Sequence, residues 1–278
     1  MTKIIFFGNG PLADYAKAVL ARSFEIVFHA RTKEDLEEVK RLKTENPEIK
    51  GVLASFGVMI KSNVLDLFEP EGILNIHPSL LPKYRGSSPI ETAIVNGDKE
   101  FSVSIMKLVK AMDAGPIYYQ KTLSNVDVVY NAALKRDGKI LNLGPDAIPS
   151  KDDIYFALAS DGAEWIAENL ESLPEPTLQD DTKATFTAKL DKSMSLLKPE
   201  TKSAEELLNE VRAFLGFPKS KHDFFGLDCI VLDAHISDSE EIKLSLKCAD
   251  GKYLIIDKIQ PAGRKPMVAK SFLNGYAK

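Results

Sequence analysis

KIIFFGNGPLADYAKAVLARSFEIVFHA, residues 3–30, sets two short apolar runs on either side of a helix-like stretch. Residues 3–8 read as a strand rich in β-branched and aromatic side chains, residues 11–21 as a helix with proline in its first turn, and residues 24–30 as a second strand. The alternation continues with a charged helix over 33–44, strands at GVLASF (51–56) and GILNI (72–76), a helix at PIETAIV (89–95), and strands at FSVSIMKL (101–108) and PIYYQKTL (116–123). Strands that alternate with helices predict an α/β architecture built on a mostly parallel sheet covered on both faces. GNGPLA (8–13) formally matches the G-x-G-x-x-A form of a dinucleotide fingerprint. The acidic residue expected at the end of the second strand is missing, because His29, Ala30 and Arg31 stand there. A glycine turn required by tight strand-to-helix packing is the preferred reading.

Beyond Leu123, short apolar runs punctuated by Gly and Pro suggest a β-hairpin excursion with a basic tip at Asp137-Gly138, followed by an amphipathic helix over 152–170. ESLPEPTLQDDTK (171–183) is proline-rich and acidic, the composition of a linker. The expected division is a first domain over 1–175, a linker over 176–190 and a smaller β-rich barrel over 191–278. In the last part, Ser203 and Glu206 fit a capping box, and Asp250-Gly251 marks a hairpin.

The 278 residues, 44% hydrophobic, suffice for one large or two modest cores. No apolar run approaches the length of a membrane span, and MTKIIFFGNG lacks a signal-peptide pattern, so a cytoplasmic location and no membrane partner are expected. Two cysteines, Cys229 and Cys248, are too few for a disulfide framework and lack metal-ligand spacing to the four histidines, so reduced thiols and no metal are expected. The net charge of −4 argues against indiscriminate coating of nucleic acid. The charge is uneven, however: residues 242–278 carry eight basic and two acidic side chains. That basic stretch is either a solvated face or a local nucleic-acid contact.

LNIHPSLLPKYRGSSPI (74–90) holds the chemistry. Asn75 and His77, two apart on a strand, point to the same side at its carboxyl end, where open α/β sheets place ligands. A neutral imidazole can take a proton from an amine nucleophile, and a carboxamide N–H can stabilise an oxygen that becomes negative. KAMDAGPI supplies Asp113 past the fifth strand, and its carboxylate is expected to accept from the imidazole N–H and hold the ring. No serine, cysteine or lysine nucleophile accompanies the trio, and direct attack by a substrate amine is the simpler chemistry.

NIHPSLLPKYRGSSPIETAIVNGD followed by MDAGPI resembles the folate-dependent formyltransferases, which carry N-x-H and D-x-G elements at this spacing. Within that family the stretch is most similar to enzymes that act on methionyl-tRNA, and QDDTKATFTAKL, RAFLGFP and IQPAGRKPMVAKSFLNG extend the similarity past the linker. The resemblance implies a Rossmann-like catalytic domain followed by an OB-like barrel. It further implies 10-formyltetrahydrofolate as co-substrate, initiator methionyl-tRNA as acceptor, translation initiation as the process, and a monomer without metal. It assigns catalysis to Asn75, His77 and Asp113. Ser79, Leu80, Leu81 and Pro82, with Phe56, Gly57 and Ile60, would line the folate site. Lys83 and Arg85 near the cavity mouth, with Arg264 and Lys265, would meet the tRNA.

The chain departs from that pattern in three places. It lacks the long basic loop after the second strand, it carries Leu215 and Phe217 where the family has an asparagine-tryptophan pair, and its 125–149 span is enlarged. The hairpin of that span is expected to replace the missing loop or to be a solvated insertion. Three other readings remain in view at this stage: a nucleotide-sugar N-formyltransferase using the same donor, a nicotinamide-dependent oxidoreductase using GNGPLA, and a non-catalytic RNA-binding module built on the barrel.

Overall fold

The computed structural model describes residues 1–139 and 147–276. They form two compact units: residues 1–90 with 99–188, and residues 91–98 with 189–278.

The first unit is a six-stranded sheet in the order β2-β1-β3-β4-β5-β6. Strands β1 (Lys3–Phe7), β2 (Glu25–Ala30), β3 (Lys50–Leu53) and β4 (Ile73–His77) run parallel, and β5 (Glu100–Lys107) and β6 (Ile117–Ser124) are added antiparallel. β1 lies between two neighbours, and its Ile4, Ile5, Phe6 and Phe7 are fully buried, as expected for a strand covered on both faces. Ile5 and Phe7 face a cluster that includes Leu36 and Val39 of α2 (Asp35–Glu45), Val64 of α3 (Ser62–Leu65), and Phe68 and Ile73. The opposite face is covered by α1 (Pro11–Leu20) and α6 (Lys151–Asn169). A Cβ on Gly162 of α6 would stand 2.8 Å from Ile76 and about as close to Ile105 and Val103, so glycine lets this helix lie directly on β4 and β5.

Gly8 shows why the first turn is glycine-rich: a Cβ there would lie 2.2 Å from the Ala54 carbonyl oxygen. Gly10 caps α1 at φ +80°. The packing explanation of GNGPLA therefore suffices.

The excursion after Leu123 is helical where described, which corrects the hairpin expectation. Ser124 and Asp127 form a capping box on α5 (Asn125–Asn131), and the chain runs on as a π-helical turn over Ala132–Arg136. Gly138, at φ +64°, ends this helical run. The overlooked signal is S-x-x-D, which binds two otherwise orphaned N–H groups and wins over a D-G pair read as a turn. The expected basic tip is also engaged: Lys135 pairs with Glu164, and Arg136 with Asp152 and Asp153, all on α6. Residues 140–146 of this span lie outside the described residues.

The segment expected as a linker rides on the first unit for most of its length. Thr177 pairs with Ile117 and Phe186 with Arg85 through the backbone. Its proline and acid content gives no helical or strand periodicity, yet its backbone N–H and C=O groups find partners on neighbouring strands and loops.

The second unit holds a five-stranded antiparallel sheet in the order β11-β10-β8-β7, with β9 also on β10. Its strands are β7 (Ser220–Phe224), β8 (Leu227–Ser237), β9 (Ser245–Lys247), β10 (Tyr253–Pro261) and β11 (Met267–Val268). Among the described residues the ladder does not close on itself, so it is a half-barrel. Its core of Val231, Leu244, Leu254, Ile256 and Ile259 packs with Leu207 and Val211 of α7 (Ala204–Ala213) and with Phe272 of α8 (Ala269–Tyr276). The Ser203–Glu206 capping box is present, and Cys248 and Lys252 flank the tight turn at Asp250-Gly251.

On this sheet His235 contacts Asp257 at 2.7 Å and Glu241 at 3.3 Å, and these carboxylates raise its pKa above the ordinary value. A raised folded-state pKa gives stability that is present below the unfolded pKa and lost as pH rises through the folded one. The difference in Tm between wild type and His235→Gln is therefore expected to be larger at pH 5.5 than at pH 8.5. Equal differences at both pH values would refute the pairing.

Candidate active site

The alternation of β4 puts Leu74 and Ile76 on one face and Ile73, Asn75 and His77 on the other, with Asn75 and His77 at the carboxyl end. Both are buried, at 5% and 4% exposure. Antiparallel pairing sets His77 opposite Ser104 and Asn75 opposite Met106 of β5. No hydrogen bond to a described residue engages the Asn75 carboxamide.

His77 Nε2 lies 3.1 Å from the Tyr84 carbonyl oxygen. A carbonyl only accepts, so Nε2 carries the hydrogen, and in the neutral ring the lone pair is on Nδ1. Nδ1 faces Asp113 Oδ1 at 3.8 Å. That separation exceeds hydrogen-bond reach. The expected direct bond from imidazole to Asp113 is thus replaced by a different division of labour, in which the Tyr84 carbonyl orients the ring. Asp113 instead takes the Gly86 N–H on Oδ2 at 2.7 Å.

Two residues of this centre hold left-handed backbone conformations, Tyr84 at φ +62° and Asp113 at φ +47°. Such residues cost free energy and persist only where their surroundings fix them. Here the fixing contacts come from 177–187. Thr185 Oγ1 accepts from Tyr84 N at 2.9 Å, and Gln179 Nε2 donates to the carbonyls of Asp113 at 2.8 Å and Gly115 at 2.7 Å. Glycine is required beside both. A Cβ on Gly86 would sit 2.6 Å from Thr187 Oγ1, and one on Gly115 would sit 1.9 Å from the Lys107 carbonyl oxygen.

The Ser79–Pro82 loop is locked to the sheet. Ser104 Oγ donates to Ser79 O at 2.6 Å and accepts from Leu81 N at 3.1 Å, while Gln120 Nε2 reaches Leu81 O and Ser104 Oγ, each at 2.9 Å. The Ser79 hydroxyl closes its own turn on Lys83 O at 2.6 Å. Leu81 is buried, Pro82 half-buried and Leu80 44% exposed, so Leu80 is the side chain this loop presents most openly. In the other expected wall, Phe56 and Ile60 face the core with Phe7, and the Gly57 backbone, at φ +70°, is exposed.

Arg85 departs most from expectation. Its guanidinium, 5% exposed, donates to Gln179 Oε1 from Nε at 3.1 Å and from Nη2 at 2.7 Å, and to Asp181 Oδ1 at 2.6 Å. It clamps the loop internally and is not open to a polyanion. Lys83 is exposed, with Nζ 4.3 Å from the centre of the Tyr84 ring. Arg264 and Lys265 are exposed at the turn between β10 and β11 of the second unit. Among the described residues no group of three His, Cys, Asp or Glu side chains could hold a metal ion. Nor is any helix there long and apolar enough to cross a membrane.

Sequence reasoning missed Ser104, Gln120, Gln179 and Thr185. A serine in the apolar run FSVSIM and a glutamine in IYYQ were the only cues for the first two, since a buried polar residue within a strand needs a partner.

Fold and site define a formyltransferase. The formyl transferase family model matches residues 10–134, and the model of the formyl transferase C-terminal domain matches 189–277. The methionyl-tRNA formyltransferase of Granulibacter bethesdensis is 30% identical over 94% of this chain and 78% of its own length. The chain belongs to the methionyl-tRNA formyltransferase family. Solved structures with the same fold include the methionyl-tRNA formyltransferase of Clostridium thermocellum, with TM-score 0.63 and 17% identity over 94% of this chain and 98% of that one. HypX of Aquifex aeolicus in complex with tetrahydrofolic acid matches with TM-score 0.68 and 14% identity over the whole of this chain and 48% of its own.

Proposed function

We propose that the chain transfers a formyl group from 10-formyltetrahydrofolate to the α-amino group of initiator methionyl-tRNA. The observation that carries the reading is the Nδ1 lone pair of His77, set opposite Asp113 with Asn75 on the same strand face. As the amine attacks the formyl carbon, Asn75 donates a hydrogen bond to the formyl oxygen as that oxygen gains negative charge. His77 Nδ1 receives the proton that the amine sheds, and as the tetrahedral intermediate collapses the bond from the formyl carbon to N10 breaks and the imidazolium returns that proton to N10 of the departing tetrahydrofolate. The resulting imidazolium is stabilised on both sides, by the Tyr84 carbonyl at Nε2 and the Asp113 carboxylate at Nδ1. A unit-charge pair at about 4 Å is worth on the order of 4 kcal/mol at an effective dielectric near 20.

A folate fits the residues present. A flat ring needs a slot with backbone hydrogen-bonding groups and little side-chain bulk, and the space a Cβ of Gly57 would occupy is open. Leu80 offers exposed apolar surface on the Ser79–Pro82 loop.

Incubation with 10-formyltetrahydrofolate and, separately, methionyl-initiator tRNA and amino-sugar nucleotides tests the reading. Formylmethionyl-tRNA is the expected product. Formylation of the amino-sugar nucleotide alone would overturn the assignment and favour the sugar N-formyltransferase.

The exposed Arg264, Lys265 and Lys270 supply a tRNA contact on the second unit. Neutralising all three is expected to weaken tRNA binding and to flatten its dependence on salt by up to about three units of slope, because each lost phosphate contact removes about one. Folate affinity should not change. A triple variant with wild-type tRNA affinity would reduce this face to solvated surface.

A further inference from the structure

We infer that Gln179, more than sixty residues from the catalytic trio in sequence, is a positioning residue for it. The inference rests on the proposed reaction and adds a residue to its machinery.

The carboxamide of Gln179 is used at both ends. Its N–H groups bind the Asp113 and Gly115 carbonyls, and its oxygen takes two N–H groups of the Arg85 guanidinium. The backbone of Arg85 is in turn tied to Thr185 and Thr187. One side chain thereby joins the turn that carries the Asp113 carboxylate to the loop whose Tyr84 carbonyl sets the His77 tautomer. The two strained residues, Tyr84 and Asp113, lie on opposite sides of this joint. A direct His77–Asp113 hydrogen bond is absent at 3.8 Å, so the separation of the two groups is set by the elements that carry them.

Gln179 touches no reacting atom. It acts through the position of Asp113 relative to His77. A displacement of about 1 Å in such a pair can cost on the order of a hundredfold in rate. Glutamate is the informative replacement: it keeps an acceptor for Arg85 and an ion pair to hold the segment, but sets lone pairs against the Asp113 and Gly115 carbonyls. Methionine has similar length and removes both functions.

The test compares wild type, Gln179→Glu, Gln179→Met and, as a control on the same segment, Thr182→Ala, whose hydroxyl hydrogen-bonds, among the described residues, to Asp180 alone. For the two Gln179 variants the expected result is kcat lower by about ten- to a hundredfold, with KM for folate and for tRNA within about threefold of wild type. Thr182→Ala should match wild type. The ring ¹⁵N resonances of His77 give a second readout that needs no substrate. Wild type should show the Nε2–H tautomer, and the Gln179 variants a mixture of tautomers. A folded Gln179→Glu enzyme with kcat within twofold of wild type, or with an unchanged His77 signature, overturns the inference. Failure of both variants to fold assigns Gln179 to stability and overturns it as well. If wild-type protein formylates neither acceptor, the proposed function fails, while the ¹⁵N comparison still decides the role of Gln179.

Discussion

Replacing His77 with alanine is expected to lower kcat for formyl transfer by at least about a hundredfold, the lower end of what a positioned general base contributes. The variant removes the Nδ1 lone pair that receives the amine proton and leaves the Tyr84 carbonyl without its donor. The second effect is structural, since a lost hydrogen bond costs about 0.5–1.5 kcal/mol. His77→Gln separates the two, because its carboxamide N–H can reach toward the Tyr84 carbonyl but offers no basic nitrogen. Both variants should be slow, and the glutamine enzyme should be the more stable by thermal unfolding. Near-normal turnover in either would remove His77 from the chemistry.

Asn75→Ala is the second large effect. If its carboxamide supports the developing oxyanion, the loss should be about a hundred- to a thousandfold in kcat, as for removal of one such donor elsewhere. Stability should change little, because no described residue hydrogen-bonds to the Asn75 side chain and its deletion orphans no partner. Asn75→Asp sharpens the test: it is close in shape but offers an acceptor to an oxygen that becomes negative, so it should be at least as slow as alanine. Turnover of the aspartate variant above that of the alanine variant would rule out the oxyanion role.

Periodicity and punctuation made most of the fold legible. The run from β1 to β2 is readable because Gly8, Gly10 and Pro11 each have a local reason, and Gly8 is confirmed by its closeness to Ala54. The N-x-H pair is readable because a two-residue spacing on a strand fixes a shared face. What stayed hidden depends on contacts distant in sequence. Arg85, expected at the cavity mouth to meet tRNA, is held by Gln179 and Asp181, which lie more than ninety residues on, where no local pattern points to them. The orienting group for His77 is a backbone carbonyl, which every residue possesses and no side-chain pattern announces. The turn after α5 was misread because Asp-Gly marks a hairpin only between strands, and the capping box at Ser124 had already committed the chain to a helix.

The membership of residues 91–98 in the second unit bears on how the protein is made. A ribosome delivers these eight residues, with the apolar Ala93 and Ile94 that end up buried, roughly ninety residues before residue 189 opens the rest of their unit. At about 5–20 residues per second, that is a wait on the order of 5–20 s. During that interval the nascent first unit can organise its own sheet while these eight residues await the rest of their unit. The same threading means that no single cut excises a complete second unit: a gene fragment beginning at residue 189 encodes that unit without its residues 91–98.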